Sequence, residues 1–170
     1  MYGDPPTPDE KQGGWRQEGA MARILIVDDD PSVAAVLAYW FRTAGHTPLP
    51  APTGHAALLA ARAHPDLILL DLGLPDISGD EVLRRLKRDP DTVSIPVVVV
   101  SGEPDAADRV PRGGGTGAVA ILQKPVGGAD LCGVVERVLA GRTADTWDPR
   151  GVTPPGTGPL EPRHGELVSR

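Results

Sequence analysis

Short apolar runs recur through the middle of this chain, and segments with helical spacing of their apolar residues lie between them. Most of these runs are rich in Val, Ile and Leu, which is typical of strands buried on both faces of a parallel sheet. They cover residues 24–27, 47–51, 66–70, 96–100 and 119–122. Five strands alternating with helices predict an α/β fold, a doubly wound open parallel sheet with helices on both faces.

The first predicted helix carries the clearest local signals. Pro31 suits the first helical position, Asp30 is placed to cap the helix, and Gly45 is placed to end it. Apolar residues recur at the spacing of a helix that faces a core. This predicted core-facing stripe comprises Val33, Val36, Leu37, Trp40 and Phe41.

Two elements of the pattern are weak. The second strand carries Pro48 and Pro50, which cannot donate to a ladder, so we expect it at an edge of the sheet. Between strands four and five, Pro111 and the glycines at 113–115 interrupt any helix that begins at Ala106. The fourth helix is therefore predicted to be short or frayed.

The apolar runs also divide the chain. Residues 22–142 hold most of them, whereas the last 28 residues contain five Pro and four Gly. Such a composition does not offset the entropy cost of ordering. We therefore expect one domain over 22–142, a disordered extension over 1–21 and a disordered Pro/Gly-rich tail over 143–170. Met21 directly precedes the first apolar run, and we hypothesise that it is the native start.

The charge and composition exclude several classes of function. Seventeen Lys and Arg against 23 Asp and Glu give a net charge of −6, which argues against a nucleic-acid surface. The chain has no run of about 18 apolar residues, so we expect no membrane insertion. Its one cysteine, Cys132, permits no internal disulfide and fits the cytoplasm.

Polar side chains follow four of the predicted strands at the point where each strand ends. Asp28 and Asp29 follow the first strand, Asp71 the third, Ser101 the fourth and Lys124 the fifth. In a doubly wound sheet, ligands bind beyond these carboxyl ends. Three converging acids repel each other and call for Mg²⁺, with the Lys124 ammonium as a second positive charge. We interpret this set as a phosphoryl-transfer site in which one of the three Asp is the nucleophile.

At this point the sequence resembles the receiver domains of two-component response regulators. The resemblance covers about 22–140 and is carried by ILIVDDDP at 24–31, PDLILLDLGLPDISG at 65–79, IPVVVVSG at 95–102 and KP at 124–125. It implies the flavodoxin-like strand order 2-1-3-4-5. It also implies that Asp71 accepts a phosphoryl group from a phosphohistidine on a sensor histidine kinase or a histidine phosphotransfer protein.

The same resemblance implies roles for the other site residues. Asp28 and Asp29 would hold Mg²⁺ together with Asp71 and the backbone carbonyl of Gly73. Ser101 would turn toward the phosphoryl group and Lys124 would pair with it, and the lysine would be joined to the next proline by a cis peptide bond. Such a protein is a signalling switch, with only self-phosphorylation and slow self-dephosphorylation, rather than an enzyme.

The sequence departs from the usual receiver pattern in two places. The position three before the lysine usually carries an aromatic switch residue, and here it is Ile121. The weakened fourth helix is normally part of the output face. The phosphorylation chemistry is therefore predicted to be intact, whereas the usual conformational readout is in doubt.

The leading interpretation is a stand-alone receiver that signals through an unknown downstream protein. Because nothing after residue 142 has helical or strand periodicity, we expect no DNA-binding module in this chain. One alternative is a haloacid-dehalogenase-like phosphatase that uses Asp28 as its nucleophile. Another is a degenerate receiver that serves only as a binding module.

Two further groups of residues are expected to be structural. The histidines have no spacing suited to a metal site. A basic cluster in the third helix is interpreted as a solvated face, with contact to a partner as the alternative. It consists of Arg84, Arg85, Lys87 and Arg88.

Overall fold

Strands and helices alternate along the whole of the domain in the computed structural model, which describes residues 21–113 and 117–141. The predicted disorder of the two ends lies outside these ranges, apart from Met21. The elements are β1 (Arg23–Val27), α1 (Pro31–Thr43), β2 (Thr47–Ala51), α2 (Gly54–Ala61), β3 (Leu67–Leu70), α3 (Gly79–Arg88), β4 (Val97–Ser101), α4 (Ala106–Arg109), β5 (Ala120–Gln123) and α5 (Gly128–Leu139).

The five strands form one parallel sheet in the order β2-β1-β3-β4-β5, which confirms the predicted fold. The register aligns the ends of neighbouring strands. Val27 at the end of β1 pairs with Ala51 of β2 and with Leu70 of β3, and Ser101 at the end of β4 pairs with Gln123 of β5. The residues that follow β1, β3 and β5 therefore lie along one edge of the sheet.

Alternate residues of the strands pack into two separate cores, because successive side chains of a strand point to opposite faces. One core lies under α2, α3 and α4, and includes Leu25, Ile68 and Val97 from the strands. The other lies under α1 and α5, and includes Ile24, Leu67 and Val98. Both faces are covered, as the apolar runs in the sequence predicted.

The predicted start of α1 is confirmed, and its stripe is correct except at one position. The Asp30 carboxylate accepts hydrogen bonds from the backbone N–H groups of Ser32 and Val33, at 2.8 and 3.3 Å. Val36, however, is 47% exposed. The buried face of α1 is centred on Leu37, Ala38 and Phe41. Val36 lies about 200° around the helix from Ala38, on its outer side.

The weak elements behave as predicted. β2 pairs only with β1, so its two prolines lie in an edge strand. α4 contains only four residues and has no side-chain cap. Element ends elsewhere differ from the predicted ones by one or two residues. For example, β3 begins at Leu67, one residue after the predicted start.

One member of the basic cluster does not belong to a solvated face, so that prediction is wrong for Lys87. Its side chain is buried, and its ammonium donates to the backbone carbonyls of Val93, at 3.0 Å, and Ile95, at 2.7 Å. Burial lowers the pKa of Lys87. The connection from α3 to β4 folds back over the end of α3 and supplies these carbonyls, while the three arginines of the cluster are exposed.

No helix within the described residues is both long and apolar enough to cross a membrane.

Candidate functional site

The acids that follow β1 and β3 meet at the carboxyl edge of the sheet. Carboxylate oxygens of Asp28, Asp29 and Asp71 lie within 4.8 Å of one another. The strand register accounts for this meeting, because Asp28 and Asp71 directly follow the paired residues Val27 and Leu70. The structure thus brings together the three acids that the sequence analysis had singled out.

Lys124 reaches this cluster from the end of β5. Its Nζ donates to Asp28 Oδ2 at 2.9 Å and to Asp71 Oδ2 at 2.7 Å. The backbone N–H of Lys124 donates to the carbonyl of Ser101 at 2.8 Å, which ties the start of this loop to β4. The Lys124–Pro125 peptide bond is cis, as the resemblance implied.

Both paired carboxylates are largely shielded from water, with side-chain exposures of 3% for Asp28 and 13% for Asp71. Two negative charges in such surroundings repel each other strongly. Burial lowers the pKa of Lys124, but the hydrogen bonds to Asp71 and Asp28 outweigh burial and raise that pKa above its ordinary value. The ammonium therefore remains charged and holds the two acids together.

Backbone amides orient the second oxygen of each paired acid. Asp28 Oδ1 accepts from the N–H of Asp30 at 2.9 Å, and Asp71 Oδ1 accepts from the N–H of Gly73 at 3.2 Å. Each carboxylate thus has one oxygen directed at the Lys124 ammonium and the other at its own loop. Asp29, by contrast, is exposed.

Ser101 lies at the end of β4 and is fully buried, but its hydroxyl is engaged elsewhere. Its Oγ accepts a hydrogen bond from the backbone N–H of Glu103 at 3.1 Å. Within the described residues, its side chain is not joined to Asp71 or Lys124 by a hydrogen bond. Because this contact uses only the hydroxyl oxygen as an acceptor, the Ser101 O–H keeps its ability to donate.

Two residues that the sequence analysis did not single out support the loop that follows Asp71. A Cβ atom on Gly79 would collide with the backbone carbonyl oxygen of Asp71 and lie 2.5 Å from Leu72 Cα, so the start of α3 approaches this loop closely. Asp76 holds the same loop to the start of α2, because its carboxylate accepts from the backbone N–H groups of Gly54 and His55, at 2.8 and 2.9 Å.

The Asp76 carboxylate has a pKa well below its usual range, because the backbone N–H of His55 and then that of Gly54 donate to it. The His55 ring also contacts it, with Nδ1 2.6 Å from Oδ2. An acid that caps a helix distant in sequence cannot be recognised from the sequence pattern, because the known capping preferences concern residues next to the helix start. Gly79, by contrast, could have been noticed as a helix start, because it directly follows Ser78, the N-cap residue of α3.

The region around α4 carries the two departures from the receiver pattern. Ile121 is half-buried and packs against the core under α2, α3 and α4. Arg109 at the end of α4 contacts Glu103 at 2.6 Å, Asp80 at 3.1 Å and Asp105 at 3.2 Å. Its pKa is raised, because Glu103 and Asp80 accept hydrogen bonds from its guanidinium.

The acid cluster fits a hard divalent cation on the chemistry of its donors. Mg²⁺ prefers carboxylate and carbonyl oxygens at about 2.0–2.1 Å, so two of its ligands are separated by at most about 4.2 Å. The carboxylate oxygens of Asp28, Asp29 and Asp71 lie within 4.8 Å of one another, so only small side-chain shifts would bring all three onto one ion. Among the described residues, these acids form the one group of three metal-ligating side chains, and it contains no histidine.

Comparison with known proteins gives the same interpretation as the geometry. The family model of the response regulator receiver domain matches residues 24–136, about two thirds of the chain. This chain belongs to the response regulator receiver family. The match confirms the family resemblance that the strand-end motifs of this receiver domain indicated. It also places the domain in two-component signalling.

Relatives of this receiver domain include short and long proteins. Protein PilH of Pseudomonas aeruginosa is 38% identical over 71% of the chain and 100% of PilH. The transcriptional regulatory protein KdpE of Mycobacterium tuberculosis is 38% identical over 63% of the chain, which spans 46% of KdpE. A solved structure of a putative response regulator from Chloroflexus aurantiacus is 31% identical with a TM-score of 0.63, covering 71% of this chain and 98% of that one.

Proposed function

We propose that this receiver domain accepts a phosphoryl group on Asp71 in a Mg²⁺-dependent reaction. The donor would be a phosphohistidine of a sensor histidine kinase or of a histidine phosphotransfer protein. One observation carries the proposal: the Lys124 ammonium bridges Asp28 and Asp71 inside a cluster of three acids. Such an arrangement is suited to a phosphoryl group, whose negative charge is spread over three oxygens and needs positive charge on several sides.

The metal would be held by the carboxylates of Asp28, Asp29 and Asp71, together with the backbone carbonyl of Gly73. The Gly73 backbone lies beside the Asp71 carboxylate, because the Gly73 N–H donates to it. This closeness supports the proposed role of Gly73 as a metal ligand. When bound, Mg²⁺ would neutralise oxygens of the phosphoryl group during transfer.

Asp71 is the better placed nucleophile of the two acids that Lys124 contacts. Its side chain is more exposed than that of Asp28, so an incoming phosphoryl group reaches it more easily. One Asp71 oxygen forms the bond to phosphorus while the phosphorus–nitrogen bond of the donor breaks, and the leaving imidazole keeps the electron pair of that bond. The product is an acyl phosphate on Asp71 and a free histidine on the donor.

Lys124 and Ser101 stabilise the product in this proposal. The Lys124 ammonium, freed from its contact with the Asp71 oxygen, pairs with a phosphoryl oxygen. The Ser101 hydroxyl turns away from the Glu103 backbone and donates to another. Water attack would then release phosphate slowly, so the domain acts as a switch rather than as a turnover enzyme.

Output is proposed to occur through contact with a downstream protein, without direct DNA binding by this chain. The net charge of −6 supports a protein partner over a nucleic acid. The single cysteine, Cys132, is free, which is consistent with the cytoplasm as the place of the reaction.

The test is incubation of the full chain with a small acyl phosphate and Mg²⁺, followed by intact mass measurement and peptide mapping. We expect one added phosphoryl group on Asp71, absent from Asp71→Asn and absent when a chelator removes the metal. Asp91→Asn, an exposed acid in the connection before β4, is the matched control and should be labelled normally. A label on Asp28 would favour the phosphatase alternative, and no label on any acid would favour a module that only binds partners.

A further inference from the structure

Helix α2 has an unusual composition for a helix that covers a sheet. Its eight residues, GHAALLAA, include no Asp, Glu, Lys or Arg. A helix that is apolar all round is typically buried on all sides. Here Ala57 and Ala61 pack into the core, but Leu59 on the outer side is 73% exposed. The outer face of α2 therefore lies open in the described part of the chain.

A groove runs between this open face and α3. It encloses about 390 Å³, and its apolar lining comes from Leu58, Leu59 and Leu86. Arg62 and Arg85 line its sides, with Asp89 and Thr92 near the end of α3. The volume falls in the range of about 300–1,000 Å³ that is usual for sites that bind a ligand side chain or small molecule.

The charge around this groove is opposite to that of the whole chain. Arg62 and Arg85 line the groove, and Arg84 shares the Glu81 carboxylate with Arg85. Its acids are Glu81, which pairs with Arg84 and Arg85, and Asp89. Three positive and two negative groups leave a local charge of +1 on a chain whose net charge is −6. An acidic partner would be drawn to this surface, since charge complementarity steers association.

We propose that the α2–α3 groove is a docking site for an acidic amphipathic helix of a partner protein. Apolar side chains of that helix would fill the space between Leu59 and Leu86, and its flanking carboxylates would face Arg62 and Arg85. Recognition of a helix by an apolar groove uses anchors spaced three or four residues apart, with charges at the rim setting specificity.

Two other occupants fit the same surface less well. A second copy of this chain in a two-fold pair would bring two surfaces of the same positive charge together, because such an interface uses one patch twice. A lipid surface would favour a convex apolar face that can sink into the headgroups, whereas this site is a concave space between two helices.

The groove is separate from the acid cluster, because it lies at the far ends of α2 and α3. Asp76, in the loop after Asp71, contacts the first residues of α2, whereas the groove begins at Leu58. Docking therefore goes beyond the proposed phosphorylation and does not require it.

The test uses the full chain and a fluorescein-labelled helical peptide with leucines at positions i, i+4 and i+7 flanked by glutamates. Fluorescence anisotropy should show binding that is weakened about tenfold or more by Leu59→Glu and by Arg62→Glu. Tyr39→Glu, which changes an exposed apolar residue on the opposite face of the sheet, should leave binding unchanged. A second peptide with lysines in place of the glutamates should bind at least about tenfold more weakly.

Failure of the acidic peptide to bind, equal binding of the lysine peptide, or binding unaffected by both groove variants would overturn the proposal. Leu59-dependent self-association in sedimentation would assign the surface to a second copy, and Leu59-dependent binding to anionic vesicles would assign it to a membrane. Leu59→Glu should still be labelled on Asp71 by the acyl phosphate, so failure of docking and failure of the proposed phosphorylation remain distinguishable.

Discussion

The edge of the sheet that carries the acid cluster and the neighbouring region of α4 are held in place by different means. Asp28 and Asp71 directly follow strands whose register is set by backbone hydrogen bonds over four paired residues. Lys124 follows β5 and joins them with two short hydrogen bonds. The positions of these groups are therefore fixed by the sheet itself.

The α4 region has little of this support. α4 has four residues and no side-chain cap, and its outer side is tied to α3 and to the preceding loop by Arg109. Exposed ion pairs of this kind contribute only about 0–1 kcal/mol each. The two regions meet at Ser101, whose hydroxyl is bound to the Glu103 backbone. In this chain the acid cluster is thus held by the sheet, whereas the neighbouring α4 region is held mainly by exposed ion pairs.

Among the substitutions that test this contrast, Lys124→Met should have the largest effect on stability and on labelling of Asp71. The change leaves two buried carboxylates without their shared cation. In the presence of a chelator we expect the free energy of unfolding to fall by about 2–3 kcal/mol, as expected when one partner of a largely buried ion pair is removed. The rate of Asp71 labelling should fall by about a hundredfold or more. Urea unfolding and a mass time course measure the two effects, and Mg²⁺ should restore part of the stability.

The pH dependence of that stability difference follows from the raised pKa of Lys124. A group whose pKa is higher in the folded state stabilises fully below its unfolded value, here 10.5, and loses this contribution as the pH rises through the folded value. The difference between wild type and Lys124→Met should therefore stay constant from about pH 8 to 10 and shrink above about 10.5. A difference that grew with rising pH would contradict the pairing.

Replacing Gly79 with Ala should have the next largest effect, because the added Cβ would meet the backbone of Asp71 and Leu72. Backbone cannot move aside as a side chain can, so we expect a loss of about 1–3 kcal/mol in urea unfolding and slower labelling of Asp71. Gly133→Ala in α5 is the matched control, since its Cβ would have no atom within 4 Å. It should stabilise the domain by about 0.5–1 kcal/mol. Equal effects of the two variants would show that the loop that follows Asp71 is not tightly packed against the start of α3.

Replacing Arg109 with Ala should have the smallest effect. We expect a loss of stability smaller than that of Gly79→Ala in urea unfolding, and it should largely disappear at about 1 M salt because exposed pairs are screened. Arg42→Ala, on the exposed side of α1, should change stability less. A loss as large as that of Lys124→Met and independent of salt would mean that α4 is held as firmly as the acid cluster, and the contrast between the two regions would be wrong.

The sequence predicted the sheet well because its signals are local and strong. β-branched runs mark strands buried on both faces, and Asp30 and Pro31 mark the start of α1 through contacts within one turn. The meeting of Asp28, Asp71 and Lys124 could be predicted because parallel strands bring their carboxyl ends to one edge. The exposed Val36 shows the limit of this approach, since a spacing pattern gives a stripe but not its centre.

Contacts between segments distant in the chain decided the features that the sequence did not predict. The Lys87 ammonium is buried because the following connection folds back over it, and Asp76 caps a helix that begins 22 residues earlier. The groove beside Leu59 exists because α2 and α3 lie side by side. The spacing of apolar residues and the polar residues at strand ends are features of neighbouring positions in the chain. The amino-acid sequence alone therefore determined the sheet and its acid edge. Which polar groups pair across the fold depends on how segments pack in space, and only the tertiary structure decides that.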